Sequence, residues 1–318
     1  MKLIAAVAQT ATVMFDTAAT VAKAETLMAE AAARGAQVLV FPEAFIGGYP
    51  KGADFHIFIG ARTPEGRQDF LKYYEAAVAL DGPEIAQLAQ AAGTHKLYVC
   101  VGIIEREGGT LYCTAVYLGP EGTVLGHHRK LMPTALERLV WGYGDGSTLK
   151  AVDTPFGKLG AVICWENYMP ALRMAMYQQR VALYCAPTAD DRDSWISTMQ
   201  HIAMEGRCFV LSSCQHLRRA QFPMEAMHNR LPDAPETLLM RGGSCIISPA
   251  GKVLAGPVYG EDVLLTAEID LDDIPRAQMD FDPVGHYARP DVFQLAVNTA
   301  AQRAVHLEPG ASTALQRP

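Results

Sequence analysis

Two rhythms of apolar positions succeed one another along the chain. Val21, Ala24, Met28 and Ala31 follow the three-and-four spacing of one helical face, with Asp16 before them as a cap and Gly35 after them as a stop. Gln37-Val38-Leu39-Val40-Phe41 comes next, an apolar run of strand length. A strand without polar alternation is buried on both faces, as in a sheet covered by helices. The succession returns as a helix over 83–94 and a strand over 97–104, then as strand 158–164, helix 169–179, strand 181–185, helix 194–206 and strand 208–213. Residues 111–118 and a strand from Thr123 flank the turn Gly119-Pro120-Glu121-Gly122, while 243–247 and 252–255 flank Ser248-Pro249-Ala250-Gly251, which predicts two hairpins. The first nine residues read as a further strand. Such alternation predicts a layered α/β domain.

Two stretches break the rhythm, 46–66 and 215–240, both rich in Gly, Pro or polar residues. Long irregular segments in compact domains serve as lids, interface loops or mobile insertions. With half of its 318 residues hydrophobic, the chain can bury a large core, and residues 1–297 are expected to form one domain, with 298–318 a tail that lies at an interface or is disordered. A net charge of −7 argues against nucleic acid and anionic membranes as partners, because both demand clustered Lys and Arg. The apolar run at the amino terminus is cut by Gln9, too early for a signal segment or a membrane span. Cysteines at 100, 113, 164, 185, 208, 214 and 245 are odd in number and form no C-x-x-C pair. That is neither a disulfide framework nor a structural zinc site, and it predicts a reducing, cytoplasmic setting.

Three apolar segments each run into a reactive side chain: Phe41-Pro42-Glu43, Gly126-His127-His128-Arg129-Lys130, and Val162-Ile163-Cys164-Trp165. Ligands of α/β sheets bind at the carboxyl ends of strands, where the loops converge. An acid, an amine and a thiol are therefore offered to one rim. The thiol needs to lose its proton before it attacks; an ammonium favours the thiolate and a carboxylate can take the proton. The same ammonium can then hold negative charge developing on a substrate heteroatom. Such a trio suffices for acyl or imidoyl transfer with no cofactor, metal or histidine.

The blocks around these residues resemble the nitrilase superfamily, and its true nitrilase branch in particular. They are FPEAFIGGYP at 41–50, HRKLMPTALERLVWGYGDGS at 128–147, CWENYMP at 164–170, APTADDRDSWISTMQHIAMEGRCFVLSSCQ at 186–215 and GHYARPDVFQL at 285–295. The resemblance, running from about residue 3 to about residue 297, implies a four-layer α-β-β-α sandwich and a Cys164, Glu43 and Lys130 triad supported by Glu137. It implies a nitrilase that makes carboxylic acid and ammonia through a thioimidate and then a thioester on Cys164. Lys130 and the backbone N–H of Trp165 would hold the nitrogen, Glu43 would be the general base, and Tyr49 and Trp165 would meet the substrate, an aryl-substituted or medium aliphatic nitrile. The alternatives are an amidase or carbamoyl hydrolase of the same superfamily, a nitrile hydratase-like activity that stops at the amide, or an inactive assembly protein.

Other readings of single residues stay open. Glu137 could be an exposed helical ion-pair partner, Glu166 a hydrogen-bonding support beside the nucleophile, and Tyr49 a cap on the insertion. Gly142–Ser147 reads as a turn, since it lacks the Lys-Ser/Thr ending of a phosphate loop. The resemblance also implies a homodimer or larger homo-oligomer. Phe55, Ile57, Phe58, Ile59, Phe222, Met224 and Met227, apolar residues of the two insertions, are candidates for its contacts.

Overall fold

The computed structural model describes residues 1–223, 227–302 and 304–305. Thirteen strands and six helices among them, numbered in chain order, form two sheets with a helical layer on each outer face. The first sheet reads, edge to edge, β13 (Val263–Asp270), β1 (Lys2–Gln9), β2 (Ala36–Val40), β3 (Tyr98–Glu107), β4 (Thr110–Leu118) and β5 (Val124–Arg129). The second reads β10 (His216–Arg218), β11 (Leu238–Ile247), β9 (Phe209–Cys214), β8 (Val181–Thr188), β7 (Gly157–Ala161) and β6 (Val152–Thr154), with β12 (Val253–Tyr259) also paired to β11. In each sheet the centre is parallel, β1-β2-β3 and β7-β8-β9, and the flanks are antiparallel.

Three apolar clusters make the layers. Val38, Val40, Cys100 and Tyr117 of the first sheet meet Leu183, Cys185, Phe209 and Leu211 of the second between the sheets. The intervening residues Leu39, Val99 and Val101 point the other way, onto Val21, Ala24 and Met28 of α1 (Thr17–Ala33) and Ile85 and Leu88 of α3 (Pro83–His95). Tyr184, Ala186 and Val210 pack likewise on Leu172 and Met176 of α4 (Pro170–Gln178) and Met199 and Ile202 of α5 (Ser194–Gly206). Every central strand is covered on both faces, which is why its sequence reads as an unbroken apolar run. The expected α-β-β-α sandwich is the observed one.

Local signals hold where they were strongest. Asp16 accepts from the Ala19 N–H at 2.9 Å, and Gly35 follows α1 with φ of 80°. Several elements differ from the expectation. A helix, α2 (Pro64–Ala76), follows the first irregular stretch and is capped by Thr63, whose hydroxyl accepts from Gly66 N. The strand expected over 158–164 ends at Ala161, because Cys164 turns into the left-handed region at φ 51°. β10 and the start of β11 lie inside the second irregular stretch, and β13, which closes the first sheet against β1, follows the hairpin. The last helix, α6 (Asp273–Gln278), precedes an extended, exposed segment.

Of the apolar insertion residues, Phe55, Phe222 and Met227 fold back into the core between the sheets while Phe58 and Ile59 stay exposed. Ile57 is partly buried against the same core, and Met224 lies outside the described residues. Only Phe58 and Ile59 remain as contact candidates from that group.

β3 approaches the loop after β2 closely enough to need a glycine. A Cβ on Gly102 would lie 2.2 Å from the Pro42 carbonyl oxygen and 2.8 Å from the Glu43 Cα. The backbone has to move to relieve that clash, so Gly102→Ala is expected to cost about 1–3 kcal/mol, the range for overpacking. Chemical denaturation should show the loss together with a fall in activity, since Glu43 is displaced. Unchanged stability would show that this approach is loose.

Candidate active site

Glu43 stands three residues after β2, on a loop still tied to β3: Phe41 N–H donates to Cys100 O at 2.8 Å, and Ile46 N–H to Gly102 O at 3.0 Å. From the opposite sheet, the Gln215 amide donates to the Glu43 carbonyl at 3.1 Å. Lys130 follows β5 directly, its N–H donating to Cys113 O at 2.8 Å. Cys164 opens a single 3-10 turn, Cys164–Tyr168. Its left-handed backbone is unfavourable for a residue with a Cβ and persists only when neighbours impose it. Asn167 does so: its side-chain amide donates to Val162 O at 2.9 Å and Cys164 O at 2.8 Å, and its own oxygen accepts from Tyr184 at 2.9 Å.

The three chain segments converge on one buried centre. The Lys130 ammonium donates to Glu43 Oε1 at 2.6 Å and to Glu137 Oε2 at 2.8 Å, and it lies 5.4 Å from the centre of the Trp141 ring. Glu137 also accepts from Thr134 N–H at 2.6 Å and from the Tyr49 hydroxyl at 2.7 Å. It is therefore no exposed ion-pair partner. Glu43 Oε1 accepts weakly from the Cys113 thiol at 3.5 Å. Glu43 Oε2 is buried and without a hydrogen-bond partner among the described residues. The Cys164 residue is 4% exposed, and its sulfur accepts from the Thr188 hydroxyl at 3.2 Å.

Burial dominates the electrostatics. It raises the Glu43 carboxyl above its usual range, Lys130 opposes that, and the Glu137 charge adds to it. Of the two upward causes, burial outweighs the repulsion between the carboxylates. Lys130 loses hydration, which lowers its pKa, but Glu43, Cys164 and Glu137 outweigh that loss and hold it charged. Burial and the Glu43 charge push the Cys164 thiol up further than Lys130 pulls it down. Cys164 is thus held as a neutral thiol beside a buried carboxyl, where the sequence suggested an ammonium-stabilised thiolate. Burial likewise keeps the Tyr49 hydroxyl protonated, so it donates to Glu137.

A cavity of about 460 Å³ opens beside this centre. Tyr49 and Glu137 line it, with Phe55, Ile57, Leu136 and Val140 among its apolar walls. Trp165 takes no part in that wall: its indole is exposed, donates to Asp190 Oδ2 at 2.8 Å and lies under the Arg192 guanidinium. The backbone N–H of Trp165 lies in the first turn after Cys164, where a helix leaves its N–H groups without a helical acceptor. Cys113, Thr188, Asn167 and Gln215 belong to the site and carried no role in the sequence reading. Thr188, Asn167 and Gln215 stood within quoted blocks, but Cys113 is one small residue of an apolar strand.

One further set of potential metal ligands exists among the described residues, Asp54, His56 and His228, with ligand atoms within 4.8 Å of one another. Partial burial pushes Asp54 up, yet hydrogen bonds from His228, the His56 backbone and Arg230 hold it at about 2. That carboxylate is already balanced, and the group reads as an ion-pair cluster tying the two insertions together.

Known proteins resemble this chain over most of its length. The family model described as carbon-nitrogen hydrolase matches residues 4–278. The chain is 64% identical over 304 residues to an aliphatic nitrilase of Sinorhizobium fredii (strain HH103), covering 96% of this chain and 98% of the relative. It is 54% identical over 299 residues to the bifunctional nitrilase/nitrile hydratase NIT4A of Lupinus angustifolius, covering 92% and 85%. A carbon-nitrogen hydrolase of Helicobacter pylori G27 shares the fold at a TM-score of 0.72 and 18% identity, over 92% of this chain and 97% of that one.

A base works only when ionised, and burial raises the Glu43 pKa, so the active fraction should fall as pH drops through a value above the ordinary Glu range of ~4.3. Lys130, raised well above 10.5, stays charged through the neutral range and contributes no alkaline limb there. Initial rates between about pH 4 and about pH 9 at constant ionic strength should place the acid limb of kcat/KM above that of a free carboxyl. A limb at or below ~4.3 would remove Glu43 from the role of base.

Proposed function

Because this chain belongs to the carbon-nitrogen hydrolase family and is a nitrilase, converting a nitrile to a carboxylic acid and ammonia, we propose that the conversion runs through covalent intermediates on Cys164. The carrying observation is the Lys130 ammonium held between Glu43 at 2.6 Å and Glu137 at 2.8 Å in the buried centre that contains the thiol. Glu43 takes the thiol proton as sulfur attacks the nitrile carbon, and that proton passes to the nitrogen to give a thioimidate. Lys130 and the backbone N–H of Trp165 hold the nitrogen as it gains charge. Glu43 then activates a water that adds to the thioimidate, ammonia leaves, and a second water cleaves the thioester to the acid and the free thiol. Glu137, fixed by Thr134 and Tyr49, orients Lys130.

The substrate reading rests on the cavity. Its volume falls within the usual range for small-molecule sites, and its walls are largely apolar. Aryl-substituted and medium aliphatic nitriles suit it, with the nitrile end directed past Tyr49 and Glu137. We also assign the chain to homodimers or larger assemblies of itself. The support is its exposed apolar surface: Phe58 and Ile59, and Val292, Phe293, Leu295 and Val297 beyond α6. Seven free buried cysteines support a reducing, cytoplasmic setting. Among the described residues, no helix is long and apolar enough to cross a membrane.

Cys164→Ala is expected to abolish turnover with the fold intact, since a methyl group forms no thioimidate. Mass spectrometry of the unsubstituted enzyme quenched during turnover should find the acyl adduct on the Cys164 peptide alone. Turnover above trace in purified Cys164→Ala, or an adduct elsewhere, overturns the covalent reading. Lys130→Arg should lose at least about 10²-fold in kcat, the loss typical of removing a charge-stabilising donor, because a planar guanidinium does not replace a compact ammonium between two carboxylates. Near-normal rates in that variant would make Lys130 peripheral.

A further inference from the structure

Glu166 is fully buried and takes no part in the steps above. Its two oxygens are divided between the sheets. Oε1 accepts from the Leu131 N–H at 2.6 Å, immediately after Lys130 and β5. Oε2 accepts from the Ile163 N–H at 2.9 Å, immediately before Cys164. His128, also buried, approaches the same carboxylate with Nε2 at 3.1 Å from Oε2. One rigid group thus spans from the residue next to the ammonium to the residue next to the thiol.

We infer that Glu166 is a positioning residue that fixes the separation of the Cys164 sulfur from the Lys130 ammonium and thereby decides how the reaction divides between acid and amide. This rests on the covalent reading above. Once the first water has added, the substrate carbon carries sulfur, oxygen and nitrogen, and it can collapse in two ways. If the nitrogen is protonated and the C–N bond breaks, ammonia leaves and the thioester goes on to acid. If the C–S bond breaks instead, sulfur recovers a proton from Glu43 and the product is the amide, one water short of the acid. Lys130 and Glu137 act on the nitrogen, while Glu43 serves the sulfur, so the outcome depends on whether the ammonium stays at the nitrogen while sulfur is attached. Lys130 is carried by one sheet and Cys164 by the other, and Glu166 ties their neighbouring peptides together.

The carboxylate is required chemically, because both of its oxygens accept from backbone N–H groups. A glutamine has one oxygen, so its NH2 would face either Leu131 N–H or Ile163 N–H as donor against donor. Glu166→Gln is therefore expected to loosen one side of the link. The test compares Glu166→Gln with the unsubstituted enzyme on the aryl-substituted or aliphatic nitrile that the latter turns over fastest, beginning with 3-phenylpropionitrile, and quantifies acid, amide and ammonia. A fall in kcat of about tenfold or more, KM within about threefold, and at least a doubling of the amide share are expected. Unchanged kcat and product ratio in folded protein overturn the inference. So does a fall in kcat at an unchanged ratio, because that marks only a loss of active enzyme. If Glu166→Gln does not fold, Glu166→Asp, a carboxylate too short to reach both peptides, should raise the amide share in the same direction, and an unchanged ratio there is equally fatal. Failure of the underlying reading looks different: turnover in Cys164→Ala sinks the covalent mechanism, whereas unchanged Glu166→Gln beside an inactive Cys164→Ala sinks the positioning role alone.

Discussion

A lysine ammonium buried out of reach of water is the constraint around which the site is arranged. Burying an unpaired ion costs several kcal/mol, an order of magnitude that one domain's stability does not readily absorb, so Lys130 requires its partners as much as they require it. Glu43 and Glu137 both accept from it, and removal of any one of the three strands charge in the interior. With two carboxylates to one ammonium, the centre is over-supplied with negative charge. That excess, added to burial, keeps the Cys164 thiol protonated and the Glu43 pKa raised. In the proposed mechanism the thiol therefore keeps its proton until a substrate nitrogen arrives to share the Lys130 charge.

The parts of this centre are contributed by different sheets, so its geometry depends on how the sheets are locked together. Apolar packing fills the space between them but is non-directional and permits sliding. Direction comes from a few polar bonds across that space. Ala161 N–H donates to the Tyr117 hydroxyl at 2.8 Å, the Ser213 hydroxyl donates to Ala8 O at 2.6 Å, and Ser244 N–H donates to Gln9 Oε1 at 2.9 Å. Gln215 accepts from Thr12 N–H at 3.0 Å and donates to the Glu43 carbonyl. Glu166 adds a charged link of the same kind. Each such group is costly if left unpaired in the interior, so together they select one register of the two layers.

The helix α2 shows how far this support extends from the chemistry. Its Tyr73 donates to Gly48 O at 3.0 Å and accepts from the Trp141 indole at 3.2 Å. Trp141 in turn lies against both Tyr49 and the Lys130 ammonium. A helix with an ordinary Thr-Pro start thereby holds the loop after Glu43 and the wall around Lys130.

By itself the sequence determined the layering, because helical spacing at Val21, Ala24 and Met28 and unbroken runs such as 37–41 state locally which faces are buried. It also marked Glu43, Lys130 and Cys164 as the candidate set, since each stands at a strand end within a block of family-like residues. The tertiary structure alone decided what those groups are. Whether Cys164 is a thiol or a thiolate depends on burial and on charges that the chain brings from residues 43, 130 and 137, and no local pattern encodes that sum. The same holds for Glu137, which the resemblance set beside the triad while its surroundings also suited an exposed helix; its partners are Lys130 and Tyr49. It holds for Phe55, Phe222 and Met227, which looked like surface contacts and lie in the core. Periodicity reports how a residue relates to its own element, whereas hydration, charge state and contact across sheets are set by neighbours far away along the chain.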